Sequence, residues 1–248
     1  MKAIVIIPAR YGSTRFPGKP LVEIDGKPMI QHVYEQAKQA TDEVWIATDD
    51  LRIEAAVNKF KGKCVMTSSE HRSGTDRLAE AIENIPNGNE FDIVVNIQGD
   101  EPFIKPMQIT QLISLFEKNQ KTQIATLVKE ITELEDVFNT NKPKVVRGIG
   151  GEALYFSRSP IPFVRDEEKN EWYKKHTFYK HIGVYAYLTN VLKEISELKA
   201  SPLEKAENLE QLRWLENNYT ITTDVTEYEN LSVDTPEDLN VILRSIYS

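Results

Sequence analysis

The chain has 248 residues, and its 38 acidic side chains outnumber 30 basic ones to give a formal charge of -8. That balance argues against a broad cationic surface for nucleic acid, and Cys64 as the single cysteine excludes an intrachain disulfide or a cysteine-built zinc cage within one chain. No uninterrupted apolar run is long enough to span a bilayer and the amino terminus lacks a secretion-signal pattern, so the expectation is a cytoplasmic protein without stable membrane association.

Ala3 to Ile7 is a branched apolar run, which suits a central parallel strand buried on both faces. It runs into a loop rich in glycine and cations, with Arg10, Gly12, Ser13, Arg15, Gly18 and Lys19, stiffened at its exit by Pro17 and Pro20. A helix is expected over Ile30 to Lys38, a strand over Glu43 to Ala47 ahead of Asp49 and Asp50, a helix over Leu51 to Phe60 and a strand over Lys63 to Met66. Cys64 in that strand is expected to fill core. Asp76 to Ile85 reads as a helix, and Phe91 to Ile97 as the strongest later strand, ending directly in Gln98, Gly99, Asp100 and Glu101.

A helix over Met107 to Lys118 and a strand over Thr122 to Val128 follow. After the polar break at Asn139 to Pro143 the pattern changes to short strands at Lys144 to Val146, Ala153 to Phe156 and Gly183 to Leu188. Glu167 to Lys175 reads as a solvated loop or helix face, with Trp172 and Tyr173 as an alternative partner-contacting patch. Pro202 to Asn217 reads as one amphipathic helix and Thr235 to Ile246 as the last, with Thr235 and Pro236 as cap and first turn. The match of Asn218, Tyr219 and Thr220 to a glycosylation acceptor reads as coincidence. The alternation of strands and helices predicts an α/β fold with a mostly parallel, Rossmann-like sheet flanked by helices, organised as one domain over 1–248 with an excursion at about 144–190.

The loop after the first strand leaves the strand's carboxyl end, where ligands collect in open α/β sheets, and its amides and cations suit a polyanion such as a nucleoside triphosphate. It is neither a Walker A loop nor a GxGxxG turn. Its plainer alternative is a charged surface turn. His71, Arg72, Ser73, Gly74 and Thr75 enter a helix, so amides and hydroxyls there can meet phosphate oxygens or base edges. A simple cap at Ser73 or Thr75 and local hydrogen bonding by His71 are the alternatives. Asp100 and Asp234 carry hard carboxylate oxygens of the kind magnesium takes, although Asp234 also suits a helix start. Arg158, His181, Tyr185, Glu210 and Gln211 have the chemistry to hold an acidic sugar, against the alternatives of a surface ion pair between Arg158 and Glu210 and a core hydrogen bond for Tyr185.

Seven segments in order, IIPARYGSTRFPGKPL, HRSGTDRLAE, VNIQGDEP, ALYFSRSPIP, KHIGVYAY, SPLEKAENLEQLR and VDTPEDL, resemble the signatures of the bacterial 3-deoxy-manno-octulosonate (Kdo) cytidylyltransferases, over essentially the full chain. The resemblance implies a nucleotide-diphospho-sugar transferase type of fold with a smaller mixed sheet or dimerisation excursion, a homodimer paired around Ser157 to Tyr187, and magnesium-dependent transfer of CMP from CTP to Kdo for lipopolysaccharide. It further implies Ala9, Arg10, Ser13, Arg15, Lys19, Arg72 and Ser73 for CTP, and Gln98, Arg158, His181, Tyr185, Glu210 and Gln211 for the sugar. Asp100 and Asp234 fall to magnesium and, with Lys19, to catalysis. Asp76 stands where the family commonly has Glu, Phe163 where Trp is frequent, and Ala186 and Leu188 also depart from its usual wording. The competing readings are CMP transfer to another acidic sugar, such as sialic acid or an amino-substituted Kdo, and a noncatalytic nucleotide-binding regulator.

Overall fold

The computed structural model describes residues 1–12, 16–71, 73–230, 232–233, 235–239 and 243. In chain order the elements are β1 (Ala3–Ala9), β2 (Glu23–Ile24), β3 (Lys27–Pro28), α1 (Met29–Lys38), β4 (Val44–Thr48), α2 (Leu51–Lys59), β5 (Cys64–Met66), α3 (Gly74–Asn84), β6 (Ile93–Asn96) and α4 (Pro106–Lys118). There follow β7 (Ile124–Glu130), α5 (Leu134–Phe138), β8 (Lys144–Arg147), β9 (Ala153–Ser157), α6 (Trp172–Lys175), β10 (Tyr179–Leu188), α7 (Thr189–Ser196), α8 (Pro202–Glu207), α9 (Gln211–Glu216) and β11 (Ile221–Val225).

Two compact units divide the chain. The first comprises Met1–Ile113, Ala186–Ser196 and Asn230–Ser248. Its sheet runs β6-β1-β4-β5, with every neighbouring pair parallel. Parallel strands joined by crossover helices are covered on both faces, which is why Ile4, Val5, Ile6 and Ile7 are all fully buried without alternation. Each such side chain contributes roughly 1.5–3 kcal/mol. The chain winds outward from β1 through β4 to β5, then returns on the other side of β1 as β6. The strand order therefore reverses between β1 and β6, and in open α/β sheets the crevice beyond the carboxyl ends at such a reversal is the ligand site. A separate β2–β3 hairpin turns at Asp25 and Gly26, both at positive φ, as a tight two-residue turn requires.

The second unit comprises Ser114–Tyr185 and Glu197–Glu229. Here β7 and β11 are parallel, while β8 pairs antiparallel with both β9 and β10. Most of the expected 144–190 excursion falls in this unit, which extends well beyond it. The mostly parallel α/β architecture agrees with the sequence expectation, and β1, α1, β4, α2, β5, α3, β6, α4 and β7 lie within a few residues of the expected elements, while the β2–β3 hairpin has no expected counterpart.

Four differences have local causes. The helix expected over Pro202 to Asn217 is two helices, because Asn208 adopts a left-handed φ of 51° and ends α8. Trp172 is not a surface patch: it is 3% exposed, packs with Ile131, Val137 and Phe178, and donates its Nε1 hydrogen to the Glu167 carbonyl. β10 begins at Tyr179 rather than Gly183, since Tyr179 and Lys180 pair with β8. β11 has no counterpart in the sequence expectation. At the carboxyl end, Thr235 Oγ1 accepts from the Asp238 amide, while residues 240–242 and 244–248 lie outside the described set.

Candidate nucleotide site

Ala9, 3% exposed, ends β1, and the exposed Arg10 follows it. The loop closes where the Gly18 amide donates to the Tyr11 carbonyl at 2.9 Å. Gly18 has φ +74°, and a Cβ there would stand 3.1 Å from the Tyr11 ring, so both conformation and space call for glycine. The turn delivers Lys19, whose Nζ lies 2.5 Å from Asp100 Oδ2 in a mostly buried pair. The Tyr11 ring is covered in turn by Arg52, with Cζ 3.3 Å from the ring centroid, and Asp50 holds that guanidinium through two hydrogen bonds while capping α2. The sequence had marked Asp50 only as a polar residue after a strand; nothing in the local pattern linked Arg52 to the loop.

The loop after β6 meets the same place. A Cβ on Gly99 would come within 2.9 Å of the Pro8 carbonyl oxygen, so the two strand-end backbones approach as only glycine permits. Gly74, the first residue of α3, faces both strands' ends: a Cβ on it would lie 3.6 Å from Pro8 Cγ and 3.9 Å from Gln98 Nε2. Gln98 is thus beside the α3 amino terminus. Beyond Asp100, Glu101 is 6% exposed and accepts from Asn230 Nδ2 at 2.8 Å. Burial, reinforced by the charge on Asp100 and opposed by the Asn230 bond, pushes its carboxyl up to about 8. The Asp100 carbonyl accepts from the Val233 amide at 2.9 Å, so the residue preceding Asp234 in the chain is fastened to Asp100.

Ser73 caps α3: its Oγ accepts from the Asp76 amide while the Asp76 carboxylate accepts from the Ser73 amide. The departure from Glu to Asp at position 76 therefore keeps a working capping box. Gly74, the first residue of α3, lies beside Gln98, and a helix start of this kind suits phosphate oxygens. Thr75 is buried within this turn. Of the expected nucleotide and metal ligands, Ser13, Arg15, Arg72 and Asp234 lie outside the described residues.

In the second unit His181 and Tyr185 lie on β10, Glu210 and Gln211 at the start of α9, and Arg158 directly after β9. The His181 imidazole is enclosed by the Phe156 and Tyr185 rings, with centroids 5.3 and 5.2 Å away, and Tyr185 packs edge-on against Trp214 of α9. Burial pushes His181 down to about 3. Thr126 Oγ1 donates to the Val184 carbonyl at 2.7 Å, which leaves only lone pairs for His181 Nε2 at 3.0 Å. The ring is accordingly neutral, with its proton on Nε2. Gln211 is 4% exposed, and its Nε2 has no partner among the described residues. Glu210 stands 3.8 Å from Arg213, not from Arg158. Arg158 donates from its guanidinium to the carbonyls of Glu207, Asn208 and Thr140. These three bonds give Arg158 a structural task that its sequence position did not announce.

Magnesium chemistry suits Asp100, a partly exposed carboxylate whose Oδ2 is paired with Lys19 Nζ. Such hard oxygen, with phosphate and water completing the shell, is the donor set the ion takes. The residues fit.

Lys19, Asp100, Gln98 and a capped helix start, assembled at the strand-order reversal of a parallel sheet, define a nucleotide-handling transferase of the α/β class. The cytidylyltransferase family model matches residues 4–225. A 3-deoxy-manno-octulosonate cytidylyltransferase of Parabacteroides distasonis is 58% identical over 98% of this chain and 97% of its own. A solved CMP:2-keto-3-deoxy-manno-octonic acid synthetase complexed with CTP superposes with a TM-score of 0.91 at 43% identity, covering 100% of this chain and 99% of that one. A 4-diphosphocytidyl-2C-methyl-D-erythritol synthase from Anaerococcus prevotii, 12% identical with a TM-score of 0.64 over 100% of this chain and 99% of its own, shares the fold. The chain belongs to the cytidylyltransferase family, in its 3-deoxy-manno-octulosonate cytidylyltransferase branch.

Proposed function

We propose that this enzyme transfers CMP from CTP to Kdo, releasing diphosphate and forming CMP-Kdo for lipopolysaccharide biosynthesis. The observation that carries this is the chain-long likeness to a synthetase complexed with CTP, at 43% identity and a TM-score of 0.91.

The anomeric hydroxyl of Kdo attacks the α-phosphorus of CTP; its proton is released to water, one P–O bond forms and the bond to the β-phosphate oxygen breaks, so negative charge passes to the departing diphosphate. Lys19 stabilises that charge from the mouth of β1, assisted by Arg10, Arg15 and Arg72, while Ser13 and Ser73 supply hydroxyls and Ala9 its backbone. Asp100 and Asp234 would hold magnesium, which offsets charge on the phosphates and polarises an oxygen bound to it. Gln98, Arg158, His181, Tyr185, Glu210 and Gln211 orient the acidic sugar. The buried Gln211 Nε2, without a partner among the described residues, supports that role, since a sugar oxygen would satisfy it. His181, neutral and with its Nε2 proton committed to Thr126, acts as an acceptor through Nδ1 and not as a cation, given its low-lying pKa of about 3.

The enzyme works as a homodimer in the cytoplasm, with exposed apolar side chains at Ile149, Leu154 and Phe163 of the 144–190 segment supporting a subunit contact. Among the described residues, no helix is long and apolar enough to cross a membrane.

Diphosphate release with CTP, magnesium and freshly generated Kdo, read together with the product mass, tests the assignment. CMP-Kdo is the expected product; a CMP adduct formed only with sialic acid or an amino-substituted Kdo would reassign the acceptor, and CTP binding without release from any of them would make the chain a regulator.

A further inference from the structure

The segment between β5 and α3, residues 67–73, is tied to α3 from several successive turns. At its start, Thr67 Oγ1 accepts from buried Arg77 at 2.5 Å, and the Thr67 amide donates to the Thr48 carbonyl. At its end, Ser73 and Asp76 form the capping box. Its middle is held by Glu80, one helical turn beyond Asp76 on the same face of α3. Glu80 Oε2 accepts from the Ser68 amide at 2.8 Å and makes a short contact with His71 Nε2, while Oε1 accepts from Asn84 at 3.3 Å. The His71 and Glu80 side chains are only 19% and 31% exposed, so water is a poor substitute for either partner.

We propose that Glu80 is a positioning residue for the nucleotide: by gripping Ser68 and His71 it fixes the approach of the chain to Ser73, and so sets the ligand-binding geometry of that residue. It touches no substrate itself. This inference rests on the reading of Arg72 and Ser73 as CTP ligands. A carboxylate serves here because its two oxygens can accept from the backbone amide, the imidazole and the Asn84 amide together, which no neutral side chain of that length does. Without it the 68–71 segment must find its own conformation before CTP can bind, and that ordering cost falls on nucleotide affinity rather than on the chemical step.

The test is steady-state kinetics of the full-length enzyme for Glu80→Ala, Glu80→Gln and His71→Ala, with Arg72→Ala as reference and thermal melting as a check on folding. In Glu80→Ala the KM for CTP is expected to rise about tenfold while the KM for Kdo stays within about twofold. Glu80→Gln, which still accepts the Ser68 amide, is expected to recover part of that loss. His71→Ala combined with Glu80→Ala should lose less than the product of the single losses, since both act through one contact. An unchanged KM for CTP in folded Glu80→Ala overturns the proposal if Arg72→Ala raises it; if Arg72→Ala also leaves it unchanged, the assignment of the CTP ligands is what fails, and the positioning role with it. A parallel fall in melting temperature and rise in both KM values would overturn the proposal in favour of a merely structural role.

Discussion

Lys19 Nζ and Asp100 Oδ2 lie 2.5 Å apart although 81 residues separate them in the chain. Each holds the other where the loops after β1 and β6 meet, so the cation proposed for the phosphates and the carboxylate proposed for magnesium are placed by one contact. Replacing Lys19 by Met removes charge stabilisation from the departing diphosphate, and kcat is expected to fall about a hundredfold or more. Asp100→Asn should lower kcat to a similar extent and raise the magnesium concentration needed for half-maximal rate. Initial rates over a magnesium titration check both; a wild-type magnesium profile in Asp100→Asn would remove that residue from metal binding.

Gly99 has room for no side chain, since its Cβ would meet the Pro8 carbonyl oxygen at 2.9 Å. Backbone cannot yield as a flexible side-chain tip can. Gly99→Ala is expected to destabilise the enzyme by about 1–3 kcal/mol, measured by urea unfolding, and to weaken CTP binding because it separates the two strand-end loops.

His181 links stability to pH. Its folded pKa of about 3 lies below the ordinary 6.5, so between those values the unfolded chain binds a proton that the folded chain refuses. Its contribution is complete above pH 6.5 and is lost as pH falls toward 3, at up to about 1.4 kcal/mol per pH unit. The His181 imidazole resonances should accordingly stay constant from pH 8 to 5 by NMR, and His181→Gln should flatten the acid limb of the stability profile.

Arg158 serves three backbone carbonyls with its planar fork. Lysine's three N–H donors share one nitrogen and do not reproduce that spread. Arg158→Lys is therefore expected to cost about 1–2 kcal/mol in urea unfolding, apart from any change in the KM for Kdo. A rise in that KM with unaltered stability would mean that the guanidinium works on the sugar alone.

Much of the candidate site was legible because its residues sit in the chain where strands end. The apolar run at Ala3–Ile7 announces a buried strand, and Gly18 and Lys19 follow it within one loop; Phe91–Ile97 leads to Asp100 in the same way. Ser73 and Asp76 declare a cap through their spacing. The break at Asn208 was not legible, since an asparagine inside an amphipathic pattern is compatible with a helix until neighbouring structure selects the left-handed conformation. β11 was missed because its central Thr222, Thr223 and Asp224 look polar, yet pairing with β7 and the surrounding packing leave Thr222 and Thr223 buried. Glu167–Lys175 looked solvated by its charge density, but only side-chain packing turns Trp172 inward.

The sequence by itself determined the alternation of strands and helices, the chemistry at the ends of β1 and β6, and the family, because hydrophobic period, turn residues and ordered motifs are properties of near neighbours. Only the tertiary structure decided that Lys19 meets Asp100, that Arg52 covers Tyr11, that Glu80 grips His71 and that Arg158 is committed to carbonyls. Those partners are chosen by sheet order and by the faces that helices turn toward it, and a side chain's direction across such distances is written in no local pattern.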